Sequence, residues 1–410
     1  MKKGMLAEHF RGVAIKRLSA VETNPEKSNQ HEFNGTEVFK RILGASERKT
    51  YQARFIWMRE EQEAITEDGS VSWYDARERH ATRSEYRLYY PSNAVMKAAS
   101  EGDALFVALR TDDSIMFIVA PKDSTIEQQL LWLFGLPQQQ SLLRVRAQEF
   151  TGDDGGKLEF AVRYILEELG IEPEEPEVDE LDAVLEKYGD AFPTMAEFSS
   201  LARSTLKNVS PHDDPDEVIV KWMEREETLF RRLERRIIAK RIRKGFGEGA
   251  EPDVDGFVGF SLSVQNRRKA RAGAALENHL EELFKARKIL HGRGCATELK
   301  NKPDFLFPGC SYYLDMSFPD AWLSMLAAKS TLKERWRQIL AEADRIPEKH
   351  LLTLSPGISV NQTTQMQAEK LRLVVPKGLH ETYQPTQRSW LMTLGQFIEL
   401  VQVRQKAAQL

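Results

Sequence analysis

The stretch Asn301-Lys-Pro-Asp-Phe-Leu-Phe307, followed by Leu326-Ala-Ala-Lys329 and Lys333-Glu-Arg-Trp-Arg-Gln-Ile-Leu-Ala-Glu342, decides how this chain is read. It supplies carboxylates at Asp304 and Glu342 and a lysine at Lys329. Those residue types are what metal-assisted phosphodiester cleavage needs. Oxygen ligands from Asp304 and Glu342 suit Mg²⁺. Such an ion stabilises charge on the scissile phosphate and lowers the pKa of a bound water. The lysine can orient or deprotonate that water. Asp304 opens an apolar strand, and Lys329 ends the apolar segment Trp322-Leu-Ser-Met-Leu-Ala-Ala328, so neighbouring strands can bring the two together. Glu342 is expected on a helix from about 331 to 345, away from the apolar positions Leu332, Trp336, Ile339 and Leu340. Glu277, on an earlier helix, could approach the same metal. Spacing alone leaves a plainer reading open, because a Pro-Asp and a distant lysine are commonly a turn and a surface charge. Glu342 could equally pair with Arg335 or Arg345 on its own helix.

Around this stretch the pattern alternates helices with short apolar runs. Glu217 to Lys244 reads as a long charged helix stopped at Gly245-Phe-Gly247. A second helix is expected from about Ala272 to Lys288, with Leu276, Leu280, Leu283 and Phe284 on one face. Leu351-Leu-Thr-Leu354 and Leu371-Arg-Leu-Val-Val375 read as buried strands, and Ser389 to Ala408 as a closing helix. A mixed sheet flanked by helices is an α/β domain, placed at 192–410.

The part before Phe160 is strand-rich instead. Tyr86-Arg-Leu-Tyr-Tyr90, Ala104-Leu-Phe-Val-Ala-Leu109 and Ile115-Met-Phe-Ile-Val-Ala120 have strand length and β-forming residues. A helix is expected from Thr125 to Phe134. This first domain is placed at 1–165. Between the two lies the acidic, proline-bearing stretch 166–191, which includes Glu172-Pro-Glu-Glu-Pro-Glu-Val-Asp-Glu180. Its composition is that of a self-repelling linker, with an acidic strap over a basic cleft as the alternative.

The 410 residues suffice for two cores. A net charge of −4 does not mark a nucleic-acid binder, but local patches decide binding. Cys295 and Cys310 imply no disulfide framework, which fits a cytoplasmic protein. The start lacks the apolar run of a signal peptide, and no segment is long and apolar enough for a membrane span.

From Phe192 to about Ile398 the chain resembles the EcoRII restriction endonuclease family. The resemblance is carried by Asp214-Pro-Asp-Glu217, Ile242-Arg-Lys-Gly-Phe-Gly247, Asn266-Arg-Arg-Lys-Ala-Arg-Ala-Gly273, Leu276-Glu277, His279-Leu-Glu281 and Leu283-Phe284. It continues through Lys302-Pro-Asp-Phe-Leu-Phe-Pro308, Met325-Leu-Ala-Ala-Lys329, Arg335-Trp-Arg-Gln-Ile-Leu340, Glu342-Ala-Asp344, Arg372-Leu-Val-Val-Pro376 and Leu391-Met-Thr-Leu-Gly395. It implies the PD-(D/E)xK restriction-endonuclease-like fold, with the second metal carboxylate moved from the strand to the following helix. The implied catalytic set is Asp304, Lys329 and Glu342, supported by Glu277 and Lys333. Lys333 could instead be a phosphate contact, and Glu281 a solvated charge.

The resemblance also implies a Mg²⁺-dependent Type II enzyme acting on double-stranded DNA as a homodimer, each subunit reading a CC:GG half-site. Arginine bonds both acceptors of guanine, and a carboxylate accepts from cytosine. Glu334 and Arg335 are therefore the expected reading pair, with Arg337 next. Trp222 is either a stacking partner for a flipped base or a core aromatic. Arg267, Arg268, Lys269 and Arg271 are expected to grip phosphates near a helix start, where backbone amides favour anions; a basic surface is the alternative.

Ile15-Lys-Arg-Leu-Ser-Ala20, His31, Tyr74-Asp-Ala-Arg77 and Thr82-Arg-Ser-Glu-Tyr-Arg87 resemble, in patches, the amino-terminal effector domain of the same family. They imply a B3-like DNA-binding pseudobarrel that restrains the nuclease until a second DNA site binds. Its candidate contacts are Lys16, Arg17, Arg77, Arg79, Arg83 and Arg87. A non-cutting DNA-binding regulator and a nuclease directed at modified DNA remain as alternatives. The recognition sequence and its central base pair are not legible.

Overall fold

The computed structural model describes residues 6, 9–23, 31–45, 49–58, 64–80, 82–136, 146–149, 165, 169, 185–189, 191–247, 251–332 and 336–410. The acidic run 170–184 lies outside them, as do Lys333, Glu334 and Arg335.

The first part forms an eight-stranded sheet of β1 (Phe10–Arg17), β2 (Glu32–Asn34), β3 (Lys49–Trp57), β4 (Ile65–Asp75), β5 (Tyr86–Tyr89), β6 (Ala104–Arg110), β7 (Ile115–Ala120) and β8 (Arg146–Glu149). Its order is β2-β5-β4-β3-β7-β6-β1-β8, antiparallel except for the parallel pair β3/β7. Among the described residues the order runs from β2 to β8 without returning on itself.

The uninterrupted apolar runs of β6 and β7 are explained by burial on both faces. Phe106, Ala108, Met116 and Ile118 belong to one core, while Leu105, Val107, Ile115 and Phe117 belong to the other. Helices α1 (Glu37–Leu43) and α2 (Ala94–Ala98) contribute Phe39, Leu43, Val95 and Met96 to the second core. Helix α3 (Thr125–Leu133) covers the first with Leu130, Leu131 and Trp132. Ser124 caps α3 by accepting from the Glu127 N–H.

In the second part, α4 (Met195–Ser204), α5 (Pro215–Lys244) and α6 (Val254–Ala286) precede a five-stranded sheet. Asp214 caps α5, Pro215 begins it, and Gly245 ends it at φ 79°, a backbone angle that glycine takes without cost. The second helix begins at Val254, well before the expected Ala272: Asp253 caps it by accepting from the Gly256 N–H. Gly256 and Gly259 weaken the helical signal locally.

The sheet is β9 (Gly292–Arg293), β10 (Phe305–Phe307), β11 (Ser324–Lys329), β12 (Lys349–Thr353) and β13 (Leu371–Val374), with the order β13-β12-β11-β10-β9. β9/β10 and β10/β11 are antiparallel, whereas β11, β12 and β13 run parallel. It is thus the mixed α/β sheet expected.

Helices α7 (Cys310–Leu314), α8 (Trp336–Ile339), α9 (Val360–Ala368) and α10 (Leu394–Ala407) complete this part. α10 starts at the Thr393/Gln396 capping box, later than the expected Ser389. α8 is much shorter than the expected 331–345 helix. After it, N–H groups bond three residues back, from Leu340 to Arg337, Ala341 to Gln338 and Glu342 to Ile339. Such tightening is how helices terminate. Ala343, at φ 52°, then turns the chain away.

Cys295 and Cys310 form a disulfide, a pairing not expected from two cysteines alone. Gly292 leaves room for it, since a Cβ there would meet the Cys310 sulfur at 2.6 Å. Among the described residues no helix is long and apolar enough to cross a membrane.

The two sheets touch. The Ser359 N–H donates to the Thr125 hydroxyl (3.1 Å), which donates to Gln362 Oε1 (3.2 Å). Gln384 Nε2 donates to Gln128 Oε1 at 3.1 Å. Helix α3 of the first part thus rests on α9 of the second.

Candidate active site

Strand pairing builds the centre of the site. Phe305 lies opposite Leu326 in the β10/β11 ladder, so Asp304, just before β10, meets the end of β11. The Ala328 N–H donates to Asp304 Oδ2 at 2.7 Å, and Lys329 Nζ donates to the same oxygen at 3.0 Å. A main-chain donor and an ammonium therefore hold one carboxylate oxygen in place.

Glu342 lies in the bend after α8 rather than on a helix. Its pKa is pushed up to about 7, first by burial and then by the nearby negative charge of Asp304; Lys329 and Lys349 pull the other way. Those influences bring Glu342 into the electrostatic neighbourhood of the other two residues. Its Oε2 is buried without a hydrogen-bond partner. An orphaned carboxylate oxygen inside a protein is costly unless something neutralises it. A divalent cation between Asp304 and Glu342 would do so, and hard oxygen donors fit Mg²⁺. Among the described residues no group of three or more His, Cys, Asp and Glu side chains forms a metal cluster, so these two carboxylates are the protein's candidate contribution.

Residues that sequence reasoning did not single out hold this arrangement. Asn301 Nδ2 donates to the Ala341 carbonyl at 2.6 Å. Glu298 accepts from the Asp344 N–H (3.2 Å) and the Tyr313 hydroxyl (2.7 Å). Arg345 reaches the carbonyls of Asp315 (3.0 Å) and Phe318 (2.6 Å) and the carboxylate of Asp320. The segment carrying Glu342 is thereby tied to the loops on either side of β10. Lys349, buried at the start of β12, donates to the Ile346 carbonyl, and burial lowers its pKa. Asn301 stands three residues before Asp304, but nothing in the sequence indicates a bond spanning forty positions.

The other expected residues are distributed differently. Glu277 is paired with Arg293 of β9 (2.9 Å), which also binds Glu281 (2.8 Å). Glu277 is thus engaged one strand away from Asp304. Arg337 is exposed on α8 and donates to Gln365 of α9 at 2.8 Å. Lys333, Glu334 and Arg335 lie outside the described residues.

Trp222 is buried at 2% exposure in the core, beside His279 and Arg203. The stacking role considered for it gives way to packing, because a base has no access there.

The run Arg267–Arg271 sits mid-helix, where main-chain amides are already bonded, so the expected helix-start anion site is absent. Arg268 binds the buried Glu234 (2.7 Å). Arg271 is itself buried, pairs with Glu227, and lies over the Phe230 ring at 4.3 Å. Arg267 stacks over Phe192 at 4.0 Å. Lys269 lies on the same helix.

In the first sheet, Lys16 pairs with Glu22, and Arg17 makes a two-pronged bond to the buried Glu127 (2.9 and 2.5 Å). Arg87 pairs with Glu32 and Glu85, both at 2.7 Å, which raises its pKa. These three hold the fold in place instead of standing free. Arg77, paired with Glu85 at 2.6 Å, is exposed with Arg79 and Arg83 in the β4–β5 connection.

Comparison with known proteins finds relatives of the second part of the chain. Residues 230–398 match the family described as EcoRII C terminal. Over 208 residues the chain is 45% identical to the Type II restriction enzyme EcoRII of Escherichia coli, covering 50% of each. The chain thus spans about half the length of that relative. Two solved structures are also similar. Metal-depleted Ecl18kI in complex with uncleaved, modified DNA has a TM-score of 0.42 at 17% identity, covering 55% of this chain and 84% of that one. Metal-depleted Ecl18kI in complex with uncleaved DNA has a TM-score of 0.42 at 19% identity, covering 56% and 85%. Residues 230–398, the stretch that carries Asp304, Lys329 and Glu342, are thus the part of this chain that matches the EcoRII C-terminal family.

Proposed function

We propose that this protein is a Mg²⁺-dependent Type II restriction endonuclease that hydrolyses double-stranded DNA at a short palindrome-like site with CC/GG half-sites. The observation that carries the reading is the approach of Glu342, with its unpartnered buried oxygen, to the Asp304–Lys329 pair. Asp304 and Glu342 would hold the ion. Bound there, Mg²⁺ would supply charge neutralisation at the scissile phosphate and a water of lowered pKa. Lys329, fixed on Asp304, orients the attacking water and offsets phosphate charge. Lys333 and Glu277 support the centre.

Glu334, Arg335 and Arg337 read the half-site, and a homodimer places one reading segment on each half, since dimer symmetry mirrors site symmetry. Residues 192–410 are the catalytic domain. Residues 1–165 are a B3-like DNA-binding effector, joined by the acidic linker 166–191, and Arg77, Arg79 and Arg83 are its exposed candidate contacts. The effector restrains cleavage until a second site binds. That restraint is supported by the seating of α3 on α9, the helix that also receives Arg337.

Digestion of methylated and unmethylated plasmid with Mg²⁺, followed by sequencing of the fragment ends, tests the reading and yields the recognition sequence. Lys329→Ala is expected to abolish cutting and leave binding intact. Loss of both would point to a structural role for Lys329. Binding without cutting by the wild type would leave a regulator, and cutting confined to methylated DNA would indicate a modification-dependent nuclease.

A further inference from the structure

The turn that leads into Asp304 is built against the preferences of its own residues. Thr297 donates its N–H to the Asn301 carbonyl at 2.8 Å, and Asn301 donates its N–H to the Glu298 carbonyl at 3.0 Å, so the chain closes into a tight loop. At its apex Leu299 and Lys300 both take left-handed backbone, with φ 55° and 64°. A residue with a Cβ crowds the following carbonyl oxygen there, and only glycine and asparagine or aspartate visit it routinely. Two such residues in succession make a strained apex. Strain of this kind persists only where the surroundings hold it, and it collects at functional sites.

The surroundings do hold it. Glu298 accepts from the Tyr313 hydroxyl (2.7 Å) and the Asp344 N–H (3.2 Å), and Asn301 donates to the Ala341 carbonyl (2.6 Å). Both feet of the turn therefore stand on the segment that carries Glu342, and Asp304 follows directly in sequence. The stretch from Leu299 to Asp304 can span at most about 18 Å. With base pairs about 3.4 Å apart along a strand, the apex lies within about five steps of a phosphate held between Asp304 and Glu342.

Leu299 is the most exposed large apolar side chain among the described residues, at 89%. A leucine in water on relaxed backbone needs no explanation; one held in water on strained backbone, beside two candidate metal carboxylates, does. Lys300 and Lys302 are exposed next to it, whereas Glu298 and Asn301 are engaged inward. The turn thus presents an apolar tip backed by two ammonium groups. Phosphates suit the lysines, but the leucine needs an apolar partner. In the major groove that partner is the thymine methyl, which a CC/GG half-site lacks. In the minor groove a leucine can wedge between base steps. One leucine among lysines is too small an apolar area for a protein interface.

We propose that Leu299 is a wedge that enters the minor groove beside the cleaved bond, with Lys300 and Lys302 on the adjoining phosphates. Seated there, the turn holds the scissile phosphate against the Asp304–Glu342 pair, which makes Leu299 a positioning residue. The proposal rests on the reading of the protein as a DNA-cutting enzyme.

Metal-free binding isotherms of the full chain on a short duplex bearing paired CC/GG half-sites test it. Leu299→Asn keeps the left-handed backbone, which asparagine tolerates, and removes the apolar tip. It is expected to melt no lower than the wild type and to bind about tenfold more weakly, or worse, on the scale of one buried leucine. Leu299→Met, another side chain used as a wedge, is expected to bind as the wild type does. Lys300→Gln and Lys302→Gln are each expected to lower the salt slope by about one. Wild-type affinity in Leu299→Asn, or unchanged slopes in both lysine variants, overturns the proposal. Should Leu299→Asn melt lower, location decides instead. Leu299→Cys is offered a thiol tethered to guanine N2, in the minor groove, or to cytosine N4, in the major groove. Disulfide trapping at N2 alone supports the wedge; trapping at N4, or none, overturns it. A wild type that binds neither this duplex nor plasmid removes the DNA-cutting reading and the wedge with it. A wild type that binds and cuts, beside an unaffected Leu299→Asn, removes the wedge alone.

Discussion

Asn301 donates its carboxamide to the main-chain carbonyl of Ala341 at 2.6 Å. The bond joins the segment that carries Asp304 to the segment that carries Glu342, and so sets the spacing of the two carboxylates. Asn301→Ala removes a bond of roughly 1 kcal/mol. It is expected to raise the Mg²⁺ concentration for half-maximal cleavage by about two- to tenfold, while metal-free DNA affinity stays the same. A Mg²⁺ titration beside a binding isotherm checks both halves.

Arg271 is buried against Glu227 and within 3.8 Å of Glu226. Removing one member of a buried pair strands the other, at a cost of about 3–5 kcal/mol. Arg271→Ala is therefore expected to lose stability on that scale in urea denaturation. The salt dependence of DNA binding discriminates between roles: loss of a phosphate contact lowers the slope by about one, whereas loss of a helix staple leaves the slope of the folded fraction unchanged.

Thr125 links the two sheets through its hydroxyl. Thr125→Val keeps the shape and removes both hydrogen bonds. With roughly 1 kcal/mol for each bond, the docked state loses ground, and cleavage of DNA bearing a single site is expected to rise. A chain lacking the residues before Phe192 sets the upper limit of that rise. An unchanged or lower rate in that truncated chain would remove the restraining role from the first domain.

His350 is buried on β12 beside Phe397. Burial, with Arg404 and Arg372 nearby, pushes its pKa down to about 3 from the usual 6.5. The unfolded chain takes up a proton below about pH 6.5, and the folded chain resists until about pH 3. The stability tied to His350 is thus fully present above pH 6.5 and is lost as pH falls through that window, by about 1.4 kcal/mol per unit. Between pH 6.5 and 5 the wild type is expected to lose about 2 kcal/mol more than His350→Leu, as read from urea midpoints at each pH.

What was legible in the sequence is what local chemistry dictates. The apolar runs of β6, β7 and β11 announced themselves, as did the stop at Gly245. Asp304 and Lys329 could be placed together because each stands at the end of such a run. What was not legible depends on partners distant in the chain. Arg268 and Arg271 resemble phosphate contacts until Glu234 and Glu227, some forty positions earlier, prove to be their partners. Trp222 presents an aromatic on a charged helix, and only packing against α4 and α6 shows that it points inward. The start of α6 was hidden by Gly256 and Gly259. The residues before Glu342 favour a helix; the turn at Ala343 and the bond from Asn301 to the Ala341 carbonyl end that helix early.

The Cys295–Cys310 bridge spans a segment with Asp304 inside it. A peptide bond broken anywhere between the two cysteines would leave both new ends fastened to the body of the protein. A nicked molecule would keep Asp304 tethered, and its two pieces would stay covalently joined until a thiol reductant was added.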